Sequence, residues 1–109
     1  MAAAEYNITI SQNADFKRAF QLKQSNVVVD LTNYSFEGKI KKNFNDTEST
    51  SFSTNITNAA GGLWEISLTD TQTAALKAGD QVYDIIMTDN NGDKTRLLQG
   101  KAYISPGVS

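Results

Sequence analysis

Residues 81–104 read QVYDIIMTDNNGDKTRLLQGKAYI, and the way this stretch divides decides the fold class. In 81–88, QVYDIIMT, apolar side chains fall on both faces of an extended chain, which predicts a strand in the middle of a sheet. DNNGD follows, and its Asn91-Gly92 pair is a strong hairpin signal because both residues tolerate the positive φ that tight turns require. KTRLLQGKAYI then returns as a last long strand, closed by Pro106. Two long strands joined in this way point to a mostly β domain.

Just upstream, Thr69 or Asp70 is placed to cap a helix, and Gln72 stands three residues after Thr69 as in a capping box. TQTAALK continues it for about two turns before Gly79 ends it, a length that would not hold in water alone. Only Leu76 among its apolar residues anchors it on a core. Further out, the alternation is that of short strands separated by turn clusters. YNITI alternates Tyr6, Ile8 and Ile10. DFKRAFQLK sets Phe16, Phe20 and Leu22 on one side with Arg18 as the exception, and NVVVDL continues that strand after a turn at Ser25 and Asn26. In YSFEGKIKK, Tyr34 or Phe36 faces inward with Gly38 and Ile40, while Glu37, Lys39 and Lys41 form a wet face. SFSTNIT points Phe52 and Ile56 inward, NAAGG turns the chain, and LWEISL places Trp64, Ile66 and Leu68 on one face.

The 109 residues suit one domain, 1–109, with a single core. The chain has no Cys and no His, which removes disulfides, thiolates, the commonest general base and the commonest metal ligand. Ten Lys and Arg against twelve Asp and Glu leave a net charge of −2 without a block of either sign. Neither a nucleic acid nor a membrane is therefore expected as a partner. MAAAEYNITI carries no secretion signal, so synthesis in a cytoplasm is expected, and the glycosylation patterns at Asn7, Asn33, Asn45 and Asn55 carry no weight.

Each group that invites a chemical role also has a plainer one. Asp89, Asn91 and Asp93 are spaced like the first ligands of an EF-hand, but the glycine is misplaced at 92 and position 100 is Gly rather than Glu. A hairpin turn is the expectation, with no metal and no cofactor. Asp84, beside Tyr83, and Arg96 on the opposite strand are expected as a cross-strand ion pair rather than a catalytic couple. Lys39, Lys41 and Lys42 form a short basic cluster with little aromatic interleaving. Trp64, Tyr34 and Tyr103 could stack on sugar rings, but aromatics at period two are usually core. No catalytic residue is assigned.

The order DFKRAFQLK, VDLTNYSFEGKIKK and ISLTDTQTAALKAGDQVYDIIMTDNNGDKTRLLQGKAYISPGV resembles a family of small β-sandwich domains of tailed bacteriophages, found alone or at the start of tail-fibre and upper-baseplate proteins. The resemblance spans residues 13–108, and its most specific element is LT-x-x-Q-T-x-x-L-x-x-G-x-x-x-Y-D. It implies an immunoglobulin-like two-sheet antiparallel β-sandwich with one short helical turn at a corner, where Tyr83 resembles a tyrosine corner. Phe16, Phe20, Phe36, Ile40, Phe52, Ile56, Trp64, Ile66, Leu68, Leu76, Tyr83, Ile85 and Leu98 are the expected core. The implied role is a structural virion protein of the tail, baseplate or fibre attachment, bound to other virion proteins, with a homo-oligomer within the particle as an option. With no fibre repeat after Pro106, a chain complete at Ser109 would be an adaptor or attachment piece. Capsid decoration is the close alternative, and a carbohydrate-binding adhesion module is the third. The last is tested by whether Tyr34, Phe44, Trp64 and Tyr103 are exposed.

Overall fold

The computed structural model describes residues 4–107 except 44 and 46–48. The chain runs β1 (Ala4–Glu5), β2 (Ile8–Ser11), β3 (Phe16–Gln21), β4 (Lys23–Gln24), β5 (Val27–Val28), β6 (Ser35–Lys41), β7 (Thr50–Ser51), β8 (Ser53–Asn58) and β9 (Leu63–Leu68). The helix α1 (Asp70–Ala75) and the long strands β10 (Gly79–Thr88) and β11 (Lys94–Ser105) complete it. One sheet has the order β1-β11-β10-β6-β7, with β2 also on β11, and the second has the order β3-β9-β8. The two pack as a largely antiparallel β-sandwich with one short helix, the expected class.

β10 lies between β11 and β6, which is why it can carry apolar residues on both faces. Its Tyr83 and Ile85 are buried beside Phe36 and Ile40 of β6. Gly38 is required there: a Cβ at that position would run into the Ile85 side chain and come within 2.9 Å of Phe52. The β10–β11 connection is a loop over 89–93, in which the Asp89 carboxylate accepts from the N–H groups of Asn91 (2.9 Å) and Asp93 (3.0 Å). Gly92 takes the positive φ, 86°.

The helix is built as its residues indicate. Thr69 Oγ1 accepts from Gln72 N–H at 3.2 Å, and Gln72 Oε1 accepts from Thr69 N–H at 2.9 Å. Leu76 is buried. The expectation missed Thr73, which is fully buried and donates its hydroxyl to the Ala14 carbonyl at 2.9 Å. Asp15 and Gln12 also reach this turn, accepting from Asp70 N–H and donating to the Leu76 carbonyl. The corner is thereby fastened to the loop before β3.

Three expectations need correction. NVVVDL does not continue β3, because Ser25 and Asn26 both have positive φ, 51° and 65°. Two such residues reverse the chain in a tight hairpin, and β4 and β5 pair with each other, leaving Val27 exposed. The Tyr83 hydroxyl does not bond its own corner; it donates to the Tyr6 carbonyl. That carbonyl points inward over Gly100, where any Cβ would strike it. Here β1 and β2 follow β11 in one parallel register, Ala4 opposite Leu98 and Ile8 opposite Ala102. The N-terminal strand thus adds a parallel edge to the antiparallel sheet.

The third correction is to the core. Phe20, Ile56 and Leu98 are half-buried at its margin. Phe20 and Ile56 flank Trp64 in one cross-strand row of the smaller sheet; they stand on edge strands, whereas Trp64 stands on the middle one. At Leu98, a bulge puts Ile85 opposite Leu98 and Ile86 opposite Arg96. Leu97 has no opposite residue, and it is Leu97 that is buried. Ile8, Ile10, Leu31, Ala102 and Ile104 join the remaining expected residues in the core.

Candidate carbohydrate-binding surface

Strand alternation gives the long sheet an outer face on which distant residues become neighbours. One cross-strand row reads Lys39, Asp84, Gln99, Glu5, and the next reads Lys41, Val82, Lys101. A depression of about 310 Å³ opens there, lined by Lys39, Lys41, Val82, Tyr83, Asp84 and Arg96. Arg96 Nε stands 3.4 Å from Asp84 Oδ2, and Lys39 Nζ stands 3.6 Å from Glu37 Oε1. Both ion pairs are open to solvent, so they contribute little to stability and keep donors and acceptors free for a ligand.

The expected Asp84–Arg96 pair is therefore present, and it is joined by Lys39 and Lys41. Lys42 parts from them. It lines a second depression of about 290 Å³, with Ser49, Thr50, Leu76, Lys77 and Gln81, around the end of β6. There a side-chain hydrogen bond with Lys42, and after it the repulsion of the Lys42 charge, holds the Lys77 pKa below the usual lysine value. Gln81 Nε2 donates to the Lys77 carbonyl at 2.7 Å and fixes that turn. A third depression, about 280 Å³, is lined by Tyr34, Ser35, Phe36, Thr54, Asn55 and Ile56. The Thr54 hydroxyl in it is committed to the Phe36 carbonyl at 2.8 Å.

The aromatic residues divide clearly. Trp64 is 2% exposed and is sandwiched between Phe20 and Phe36, with ring centroids 4.7 and 4.2 Å away. It is core, as its alternation indicates, and offers nothing to a ligand. Tyr34 is half-buried, and Phe44 lies outside the described residues. Tyr103 is 45% exposed on the same outer face, two residues along β11 from Lys101 and opposite Asp80. An exposed aromatic, a floor at Val82 and a ring of charged hydrogen-bonding groups make an amphipathic surface: apolar for the C–H faces of a sugar ring, polar for its hydroxyls. Val82, Gln99 and Lys101 were not singled out from sequence. The only signal for them was their even spacing from Asp84 and Tyr103.

Asp89, Asn91 and Asp93 form a turn, with the Asp89 carboxylate occupied by loop amides. Among the described residues no helix is long and apolar enough to cross a membrane.

Residues 29–106 match the CBM39 family model, a carbohydrate binding domain (family 32). No curated protein matches the chain. The family match overturns the resemblance to phage tail domains. With it go the structural virion role in tail, baseplate, fibre attachment or capsid decoration and the virion proteins as partners. The physical reason lies in the residues that carried the resemblance. Thr69, Gln72, Leu76 and Tyr83 cap a helix, fill a core and tie a strand, which are tasks of a sandwich corner whatever the protein binds.

Proposed function

This chain belongs to the CBM39 family of carbohydrate-binding domains, and from that premise we propose that it holds a carbohydrate, without acting on it chemically, on the outer face of its long sheet. The observation that carries the location is the depression around Val82, with Asp84, Arg96, Lys39 and Lys41 at its rim and Tyr103 exposed on the same face. Among the described residues Asp84 is the one carboxylate that lines it, whereas glycoside hydrolysis uses two carboxyl groups flanking the scissile bond. The chain supplies no His or Cys as a substitute. Such a site binds and orients, and it leaves the glycosidic bond intact.

The test is retention on a panel of insoluble and gel-embedded polysaccharides, followed by titration with the polymer retained. Tyr103→Ala should weaken binding by about threefold to tenfold through loss of ring packing, and Asp84→Asn should weaken it while leaving the melting curve in place. Undiminished binding by both variants would move the site to the groove beside Tyr34. Failure to bind any polysaccharide would end the proposal.

A further inference from the structure

The β-bulge between β10 and β11 decides which residues reach the outer face. Gln99, Lys101 and Tyr103 are the exposed residues of β11 on that side, so unbroken alternation would send Leu97 to solvent and turn Arg96 into the core. The extra residue reverses this. Ile85 stands opposite Leu98 and Ile86 opposite Arg96; Leu97 is buried, and the Arg96 side chain is 58% exposed, its Nε 3.4 Å from Asp84 Oδ2. Among the described residues, no hydrogen bond within the protein uses Asp84 Oδ1 or the two terminal nitrogens of Arg96. Along β10, Asp84 lies between Val82 and Ile86, both half-buried on the same face and about 7 Å away on either side. Charge on this face is balanced: Glu37 offsets Lys39, and Asp80 and Glu5 match Lys41 and Lys101. The face therefore selects no ion. What the bulge supplies is a donor fixed beside an acceptor, with apolar surface next to both.

We propose that Arg96, aimed by the bulge, sets the specificity of the carbohydrate site: with Asp84 it forms one unit that takes a pair of neighbouring hydroxyls of an uncharged sugar. This rests on the carbohydrate-binding reading and adds the group that selects the sugar. A bulge beside a binding site re-aims a side chain in this way. A hydroxyl both donates and accepts. One hydroxyl donates to Asp84 Oδ1, its neighbour accepts from the Arg96 guanidinium, and the C–H face of the ring lies on Val82 or Ile86. A sugar carboxylate or sulfate in that place would meet Asp84 as a like charge, and the ammonium of an amino sugar would meet Arg96.

The experiment titrates the full chain with dextran, galactomannan and soluble 1,3- and 1,4-linked glucans, and with dextran sulfate and chitosan oligomers as charged counterparts. The tightest-bound member should be uncharged, and a rise from about 50 to about 500 mM salt should change its affinity less than about twofold. Arg96→Ala and Asp84→Asn should each weaken it about threefold to tenfold. The double variant should bind no worse than the weaker single variant, as expected of residues that act as a unit. Arg96→Lys keeps the charge and should still lose binding, because the planar fork is gone, while its melting curve stays in place. Unchanged binding by Arg96→Ala, or losses that add in the double variant, would overturn the inference and leave the carbohydrate site standing on Tyr103. Tighter binding of a charged polymer, or full binding by Arg96→Lys, would reduce Arg96 to a point charge and also overturn it. Binding to no polysaccharide would overturn both readings together.

Discussion

Tyr83 does at residue scale what a pair of ladder hydrogen bonds does elsewhere in the sheet. Its ring packs against Phe52 with centroids 6.1 Å apart, and its hydroxyl holds the Tyr6 carbonyl where the amino-terminal strand breaks. Burial, with the neighbouring Tyr6 phenol adding and Arg18 opposing, pushes its pKa up to about 12, against about 10 for an unfolded tyrosine. The unfolded chain therefore ionises first as pH rises. The stability contributed by the neutral phenol is complete below about pH 10 and drains away towards about 12. Melting temperatures measured from pH 8 upward should fall over that window. Tyr83→Phe should cost about 1–2 kcal/mol at neutral pH, through the unpaired Tyr6 carbonyl, and should show a shallower alkaline decline; identical slopes would contradict the assignment. Trp64 is the other residue whose removal is decisive. Phe36 lies almost parallel to it, at 3°, and comes from the opposite sheet, so the stack joins the two layers. Trp64→Ala should destabilise the fold by about 3–5 kcal/mol, measured by denaturant titration. An unchanged midpoint would mean that the ring is not the keystone of the core.

At the scale of elements, α1 shows how a six-residue helix survives where nucleation alone forbids it. Its capping box satisfies the first amides, Leu76 anchors it below, and Thr73 with Gln12 and Asp15 binds it to the loop before β3. Replacing Thr69 by Ala removes the acceptor for Gln72 N–H and should cost about 1 kcal/mol. Carbohydrate affinity should not change, since the corner lies off the proposed face, and a loss of binding without a loss of stability would place the corner in the site. Edge strand β3 carries a second device. Arg18, opposite Ile66, is half-buried and stands over the Phe16 ring at 5.8 Å, interrupting the apolar face as its place in DFKRAFQLK indicates. A charged residue turned inward on an edge strand discourages pairing with another chain.

Across the whole molecule, the core and the proposed binding face are two sides of one sheet, so the registers that pack Tyr83, Ile85 and Ile40 inside also line up Asp84, Lys39, Val82 and Lys41 outside. Local order was legible because it is written in local chemistry. Period-two alternation marked β6 and β9, apolar residues on both faces marked β10, Asn and Gly marked the turns, and Thr69 with Gln72 marked the helix start. Those same corner residues misled the functional reading, since capping and core filling recur in sandwiches of unrelated role. What sequence order could not supply was register and position in the sheet. Whether an apolar residue is sealed depends on whether its strand is central or at an edge, which separates Trp64 from Phe20 and Ile56. A one-residue bulge exchanged Leu97 for Leu98, and a parallel register buried Ile8 and Ile10. The proposed site arises in the same way: Lys41, Val82 and Lys101 lie far apart along the chain and meet only because backbone hydrogen bonds, indifferent to the side chains they align, set three strands side by side.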